Sequence, residues 1–193
     1  MTDVLTPFDD AATVAGVIAS MQRWLERAVI GLNLCPFAKA VHVKRQIRYA
    51  VTAATTADEL RAELQHELDA LAKADPDEVD TTLLIHPQAM TDFIDFHFFL
   101  RDADAILRKL GHEGCLQIAS FHPAYEFAGS DADDIANCTN RSPYPTLHLL
   151  REASIDRAVA AFPDAAAIYE RNIATLQRLG HDGWRQLGLP DPD

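Results

Sequence analysis

Residues 41–87 read VHVKRQIRYAVTAATTADELRAELQHELDALAKADPDEVDTTLLIHP, and this stretch decides the fold class. Its first part, VHVKRQIRYAVT (41–52), is rich in β-branched residues and partly alternating, which predicts a strand. In ADELRAELQHELDALAKA (57–74), Leu60, Leu64, Leu68 and Leu71 recur at helical spacing and define one apolar face. DPDEVD is loop chemistry, and TTLLIHP (81–87) is a short apolar run that predicts a buried strand. Strand, helix and strand in this order form a crossover unit, whose two strands can lie parallel with a right-handed connection.

The pattern continues outward. Residues 10–33 predict a helix, with Val14, Val17, Ile18, Met21, Trp24, Leu25 and Ala28 on one stripe. Residues 90–111 predict a second long helix, capped by Thr91 and stopped by Gly111. GCLQIASFHP (114–123) is the third strand, AYEFAGSDADD a loop, and 133–140 a short helical turn. PTLHLLRE (145–152) gives the last strand, and 153–162 and 164–180 two terminal helices broken at Pro163. Together these predict a single α/β domain over residues 1–193, frayed at about 1–9 and 188–193. Its core is a mixed sheet of about four strands packed with five or six helices.

Composition narrows the function. The chain has 193 residues, 48% of them apolar, which suffices for one real core. A formal net charge of −12 argues against nucleic-acid binding, which needs cations to neutralise phosphate. The N-terminal MTDVLTPFDD lacks a signal-peptide pattern, and no apolar run is long enough for a membrane span, so a cytoplasmic protein is expected. Cys35, Cys115 and Cys138 are odd in number and form no CxxC pair, so neither a disulfide framework nor a zinc knot is expected. The glycine-rich phosphate loops, HExxH and GxSxG are absent.

Four stretches carry polar chemistry. In GLNLCPFAKA (31–40), Pro36 suits the first position of a short helix, which makes Cys35 its N-cap with Lys39 one turn on. A thiol placed there has a lowered pKa and is a candidate nucleophile, against the commoner role of a buried Cys. In SFHPAYEF (120–127), His122 follows a strand and precedes a Pro, and His86 repeats that context in LIHP. Sites of open α/β sheets form outside the carboxyl ends of strands, although two such endings can also be plain strand stops. NCTNRSPYPTLHLLRE (137–152) holds Arg141, a planar fork for an anion, beside Asn137, Asn140 and Ser142 on a proline-stiffened backbone. The competing reading is an ordered structural loop, with His148 a satisfied core histidine. KAVHVKRQIR (39–48) gathers Lys39, Lys44, Arg45 and Arg48, either as an anion site or as a guarded edge strand.

GLNLCPFAKAV, SFHPAYEFAG and NCTNRSPYPTLHLLRE resemble the signature blocks of an uncharacterised bacterial family, the domain of unknown function 1415. The resemblance runs from the first helix to the penultimate one. It implies a bacterial cytosolic protein in which the three blocks act as one unit, and it supplies no catalytic residues.

The residues themselves predict a small cytosolic enzyme, a hydrolase or group-transfer catalyst acting on a small anionic metabolite. Cys35 is the expected nucleophile and His122 the acid or base. Arg141 is the anion clamp, Asn137 and Asn140 orient the substrate, and Ser142, Lys39, Arg45, Tyr125 and His148 complete the binding set. No cofactor is required. A metal ion on His86, His122 and His148 with Asp134 is the alternative. A non-catalytic module docking a protein partner through NRSPYP, with Tyr125 and Tyr144 as anchors, is the third expectation.

Overall fold

Thr56 starts the helix at the centre of the quoted stretch. Its side chain accepts from the Glu59 N–H while the Glu59 carboxylate accepts from the Thr56 N–H, so two otherwise unpaired donors are satisfied. This computed structural model describes residues 11–161 and 166–189. Leu60, Leu64, Leu68 and Leu71 are all buried, which contributes roughly 1.5–3 kcal/mol per side chain.

In chain order the elements are α1 (Ala11–Trp24), which continues as a π-helical turn over Leu25–Ile30, and α2 (Ala38–Val43). Then come β1 (Ile47–Val51), α3 (Ala57–Lys73), β2 (Thr81–Ile85), α4 (Phe93–Lys109) and β3 (Leu116–Phe121). A 3-10 turn over Ile135–Thr139 precedes β4 (Thr146–Arg151), α5 (Glu152–Ala161) and α6 (Ala166–Gln186). The sheet order is β1-β2-β4-β3, with β1 and β2 parallel and β4 antiparallel to both neighbours. The first three strands therefore point the same way, and β4 is inserted between β2 and β3.

Side-chain alternation gives each sheet face its own cover. Leu84, Leu147 and Leu149 join the α3 and α4 leucines and phenylalanines in one core. Leu83 and Ile85 face α1 and its π turn, against Met21, Trp24 and Ala28. The result is a three-layer α/β domain with its sheet between two helical layers.

Two local expectations change. Val41–Val43 finish α2 rather than begin β1, and Arg45, at φ 60, reverses the chain before the strand. Asp92, not Thr91, caps α4, accepting from the N–H groups of Ile94 and Asp95, and Gly111 at φ 76 ends that helix as expected. Arg151, at the end of β4, is tied to the chain beside it. Its guanidinium donates to the carbonyls of Leu71, Ala74 and Val79 and so satisfies the C-terminal end of α3. The break at Pro163 and the ends at 1–9 and 190–193 lie outside the described residues. Within the tail, Leu189 packs against the α1 cluster, and the Gly188 carbonyl accepts from Arg27.

Candidate functional site

Parallel β1, β2 and β3 deliver their carboxyl ends to one sheet edge, and β4 begins there. The His86 N–H donates to the Pro145 carbonyl (3.0 Å) and the His122 N–H to the Asn140 carbonyl (3.1 Å). The first block joins them: the Trp24 indole N–H donates to the Arg141 carbonyl (2.8 Å), Leu34 packs with Ile135 and Cys138, and Cys35 and Tyr144 border the same α1-side core. The three blocks do meet, but their polar groups are engaged differently from the roles expected of them.

His122 is buried with both ring nitrogens occupied. Nδ1 accepts from the Ala124 N–H (3.0 Å) and Nε2 donates to the Met90 carbonyl (3.2 Å). Burial lowers its pKa, and this bonding leaves no nitrogen for acid or base work. His86 is also buried. Its Nδ1 donates to the Ala89 carbonyl (2.8 Å), while Nε2 is without a partner. Both imidazoles pack on Phe96 of α4, at ring distances of 5.6 Å for His86 and 5.1 Å for His122.

The Asn/Arg loop stabilises itself. Asn137 is fully buried; its Oδ1 accepts from the Phe127 N–H (3.0 Å) and Ser130 Oγ (2.9 Å), and its Nδ2 donates to the Asp131 carbonyl (2.9 Å). Asn140 Nδ2 donates to the Ser120 carbonyl (3.1 Å), and Ser142 Oγ to the Tyr144 carbonyl (2.7 Å). The Arg141 fork donates to the carbonyls of Tyr125 (3.2 Å) and Ala132 (2.6 Å), which leaves it a clamp on its own chain. The Tyr125 ring packs at a tilt on Phe93 (5.2 Å) and edge-on against Phe127 (5.0 Å). With Ser142, Pro143 and Pro145 buried, NRSPYP is not the open face that a docking module needs. Lys39 and Arg45 are exposed, and Arg48 pairs with Glu67 (2.8 Å). Among the described residues, no group of three or more His, Cys, Asp or Glu is placed to hold a metal ion. Asp134 caps the 3-10 turn through the Ala136 N–H (2.9 Å).

The open space lies on the other face of the sheet. A cavity of about 840 Å³ is bounded by the sheet, the π turn of α1, the 35–41 segment and α5. Trp24, Phe37, Leu83, Phe121 and Ile155 supply apolar walls. Two of the expected site residues, Cys35 and His148, line it. Cys35 is not the N-cap of α2, which begins later, at Ala38. The Phe37 and Ala38 backbone N–H groups do reach its sulfur and favour the thiolate, but burial outweighs them and pushes the thiol pKa up rather than down. His148 Nε2 lies 2.7 Å from Thr81 Oγ1, and burial takes the imidazole down to about 4. Lys44, Asp77, Asp80 and Arg157 are the charged residues of the lining, with Asp80 bonded by Ser154 Oγ (2.5 Å) and 3.8 Å from Arg157.

Thr81 was not among the expected site residues, and Lys44 was expected only as part of the basic cluster at 39–48. The cavity combines segments from across the chain, so for Thr81 the local sign was a threonine pair opening an otherwise apolar strand.

No curated protein matches the chain. No solved structure matches it either. A family model described as "Protein of unknown function (DUF1415)" matches residues 16–186. The match spans most of the chain, including all three blocks and every lining residue of the cavity, and the protein therefore belongs to the DUF1415 family.

Proposed function

We propose that the chain binds a small, mainly apolar organic molecule in the cavity between the sheet and the α1, α2 and α5 side. The observation that carries this is the cavity itself. Its volume of about 840 Å³ falls in the range of small-molecule sites, and its apolar walls surround a few polar groups, as such sites require. Of the two lining cations, Arg157 pairs with Asp80 and Lys44 has no ion-pair partner among the described residues, so an anionic group on the ligand has one unpaired cation to meet, although Asp77 shares that lining. A cytosolic setting suits the three free thiols.

The apolar fluorophore 1-anilinonaphthalene-8-sulfonate tests this. One molecule is expected to bind per native chain, and Ala119→Phe, which fills the floor of the cavity, is expected to abolish binding without lowering the thermal midpoint. Equal binding by the wild type and Ala119→Phe overturns the proposal.

A second reading, group transfer through Cys35, is favoured by one observation: its sulfur receives two backbone N–H groups in the cavity that also holds His148. The raised thiol pKa makes alkylation of Cys35 slow at neutral pH and faster as pH rises, with exposed Cys115 reacting first. Iodoacetamide mapping by mass spectrometry follows all three sites. If His148→Gln leaves the Cys35 rate unchanged at every pH, the group-transfer reading is dropped.

A further inference from the structure

His148 sits in β4, the strand hydrogen-bonded on both sides, and lies between Leu147 and Leu149, which face the opposite core. Thr81 Oγ1 is 2.6 Å from the Leu149 carbonyl and 2.7 Å from His148 Nε2. A carbonyl oxygen cannot donate, so the single hydroxyl proton of Thr81 lies toward Leu149. The remaining contact is satisfied only when the imidazole donates, which places the ring proton on Nε2 and leaves Nδ1 with a lone pair. The buried side-chain nitrogen and oxygen atoms without a partner are Tyr49 OH, Thr82 Oγ1, His86 Nε2 and Gln88 Oε1 among the described residues. His148 Nδ1 is not one of these and has no hydrogen-bond partner there. It is therefore reached from the space that His148 lines.

Resting on the small-molecule reading above, we infer that His148 Nδ1 is a fixed acceptor in the cavity and selects ligands that carry a neutral hydroxyl or N–H donor on an apolar body, such as a phenol or long-chain alcohol. The backbone fixes the choice of tautomer, because the Leu149 carbonyl orients Thr81 and Thr81 orients the ring. A hydrocarbon of the same shape fills the space but leaves the acceptor unpaired, and a carboxylate meets a lone pair. Unpaired buried acceptors carry a free-energy penalty, so the discrimination comes from rejection as much as from attraction.

The probes are 2-naphthol, naphthalene and 2-naphthoate, titrated into the full chain labelled with ¹⁵N-histidine. The expected result is that 2-naphthol binds roughly three- to tenfold more tightly than naphthalene, about what one hydrogen bond supplies. The unprotonated Nδ1 resonance of His148 is expected to move with 2-naphthol and not with naphthalene. Thr81→Val, which frees the tautomer, is expected to shrink the difference. Equal affinity for 2-naphthol and naphthalene, or an Nδ1 resonance unmoved at saturation, overturns the acceptor role and leaves the apolar pocket standing. Tighter binding of 2-naphthoate than of 2-naphthol also overturns it, in favour of Lys44. Failure of all three probes to bind overturns this inference and the pocket together.

Discussion

His86 and His148 each have a pKa near 4 because burial penalises the charged ring. In the unfolded chain both take protons below their ordinary value of 6.5, while the folded chain refuses them until about 4. Their contribution is therefore present above pH 6.5 and is lost as pH falls from 6.5 to 4. For His86, whose ring is wholly enclosed, the loss is on the order of 3 kcal/mol over that window. Urea midpoints measured from pH 7 to pH 4.5 are expected to fall, and to fall less in His86→Phe. A wild-type midpoint independent of pH contradicts neutral burial. Asn137 anchors the 127–137 loop with three side-chain hydrogen bonds. Asn137→Ala leaves the Phe127 N–H and Asp131 carbonyl unpaired and is expected to destabilise by roughly 2–4 kcal/mol, read by chemical denaturation. Sequence alone picked out these side chains as unusual. It could not say that their partners are backbone groups brought close only by folding, such as Met90 for His122 or Ser120 for Asn140.

At the scale of elements, the most readable were those with strong local chemistry. The α3 helix carries four leucines on one face and a capping box, so pattern and packing agree. Residues 41–43 misled because Val-His-Val has the composition of a strand, yet the Arg45 reversal makes it the last turn of α2. The helix predicted over 164–180 stops where α6 kinks, and the helical segment beyond Gly180 was not expected. Gly180 adopts φ 65 and ψ 174, a conformation open in practice only to glycine, and carries the chain onward to Trp184 and Leu187 of the α1 cluster. Nothing lies within 4 Å of a Cβ added at Gly180 or at Gly16, so steric crowding is removed from the comparison. Gly180→Ala is expected to lower stability by roughly 1–3 kcal/mol. Gly16→Ala, in the exposed face of α1, is expected to raise it by roughly 0.4–1 kcal/mol. Thermal denaturation of the two variants checks both signs, and equal shifts contradict the backbone account.

For the whole molecule, alternating strands and helices gave the α/β class and allowed the parallel pairing of the first two strands. The insertion of β4 between β2 and β3 was not legible, because strand order depends on long-range pairing rather than on any local pattern. Alternation along the inserted strand separates the chemistry of the two sheet faces. It places Leu147 and Leu149 in one core and His148 beneath the cavity in the other layer, away from His86 and His122. The expected single pocket at the strand ends is consequently a hydrogen-bonded structural rim, with the open volume beside it. Competing apolar surface exists on the outer face of α4, where Ile94 is 60% and Phe98 55% exposed. The most direct test of the central claim is where a bound apolar molecule lies, read from intermolecular nuclear Overhauser effects between 2-naphthol and the methyl groups of the chain. The contacts expected are to Leu83, Leu150 and Ile155 around His148. Contacts to Ile94 instead, or none to the cavity methyls at saturation, would contradict that claim.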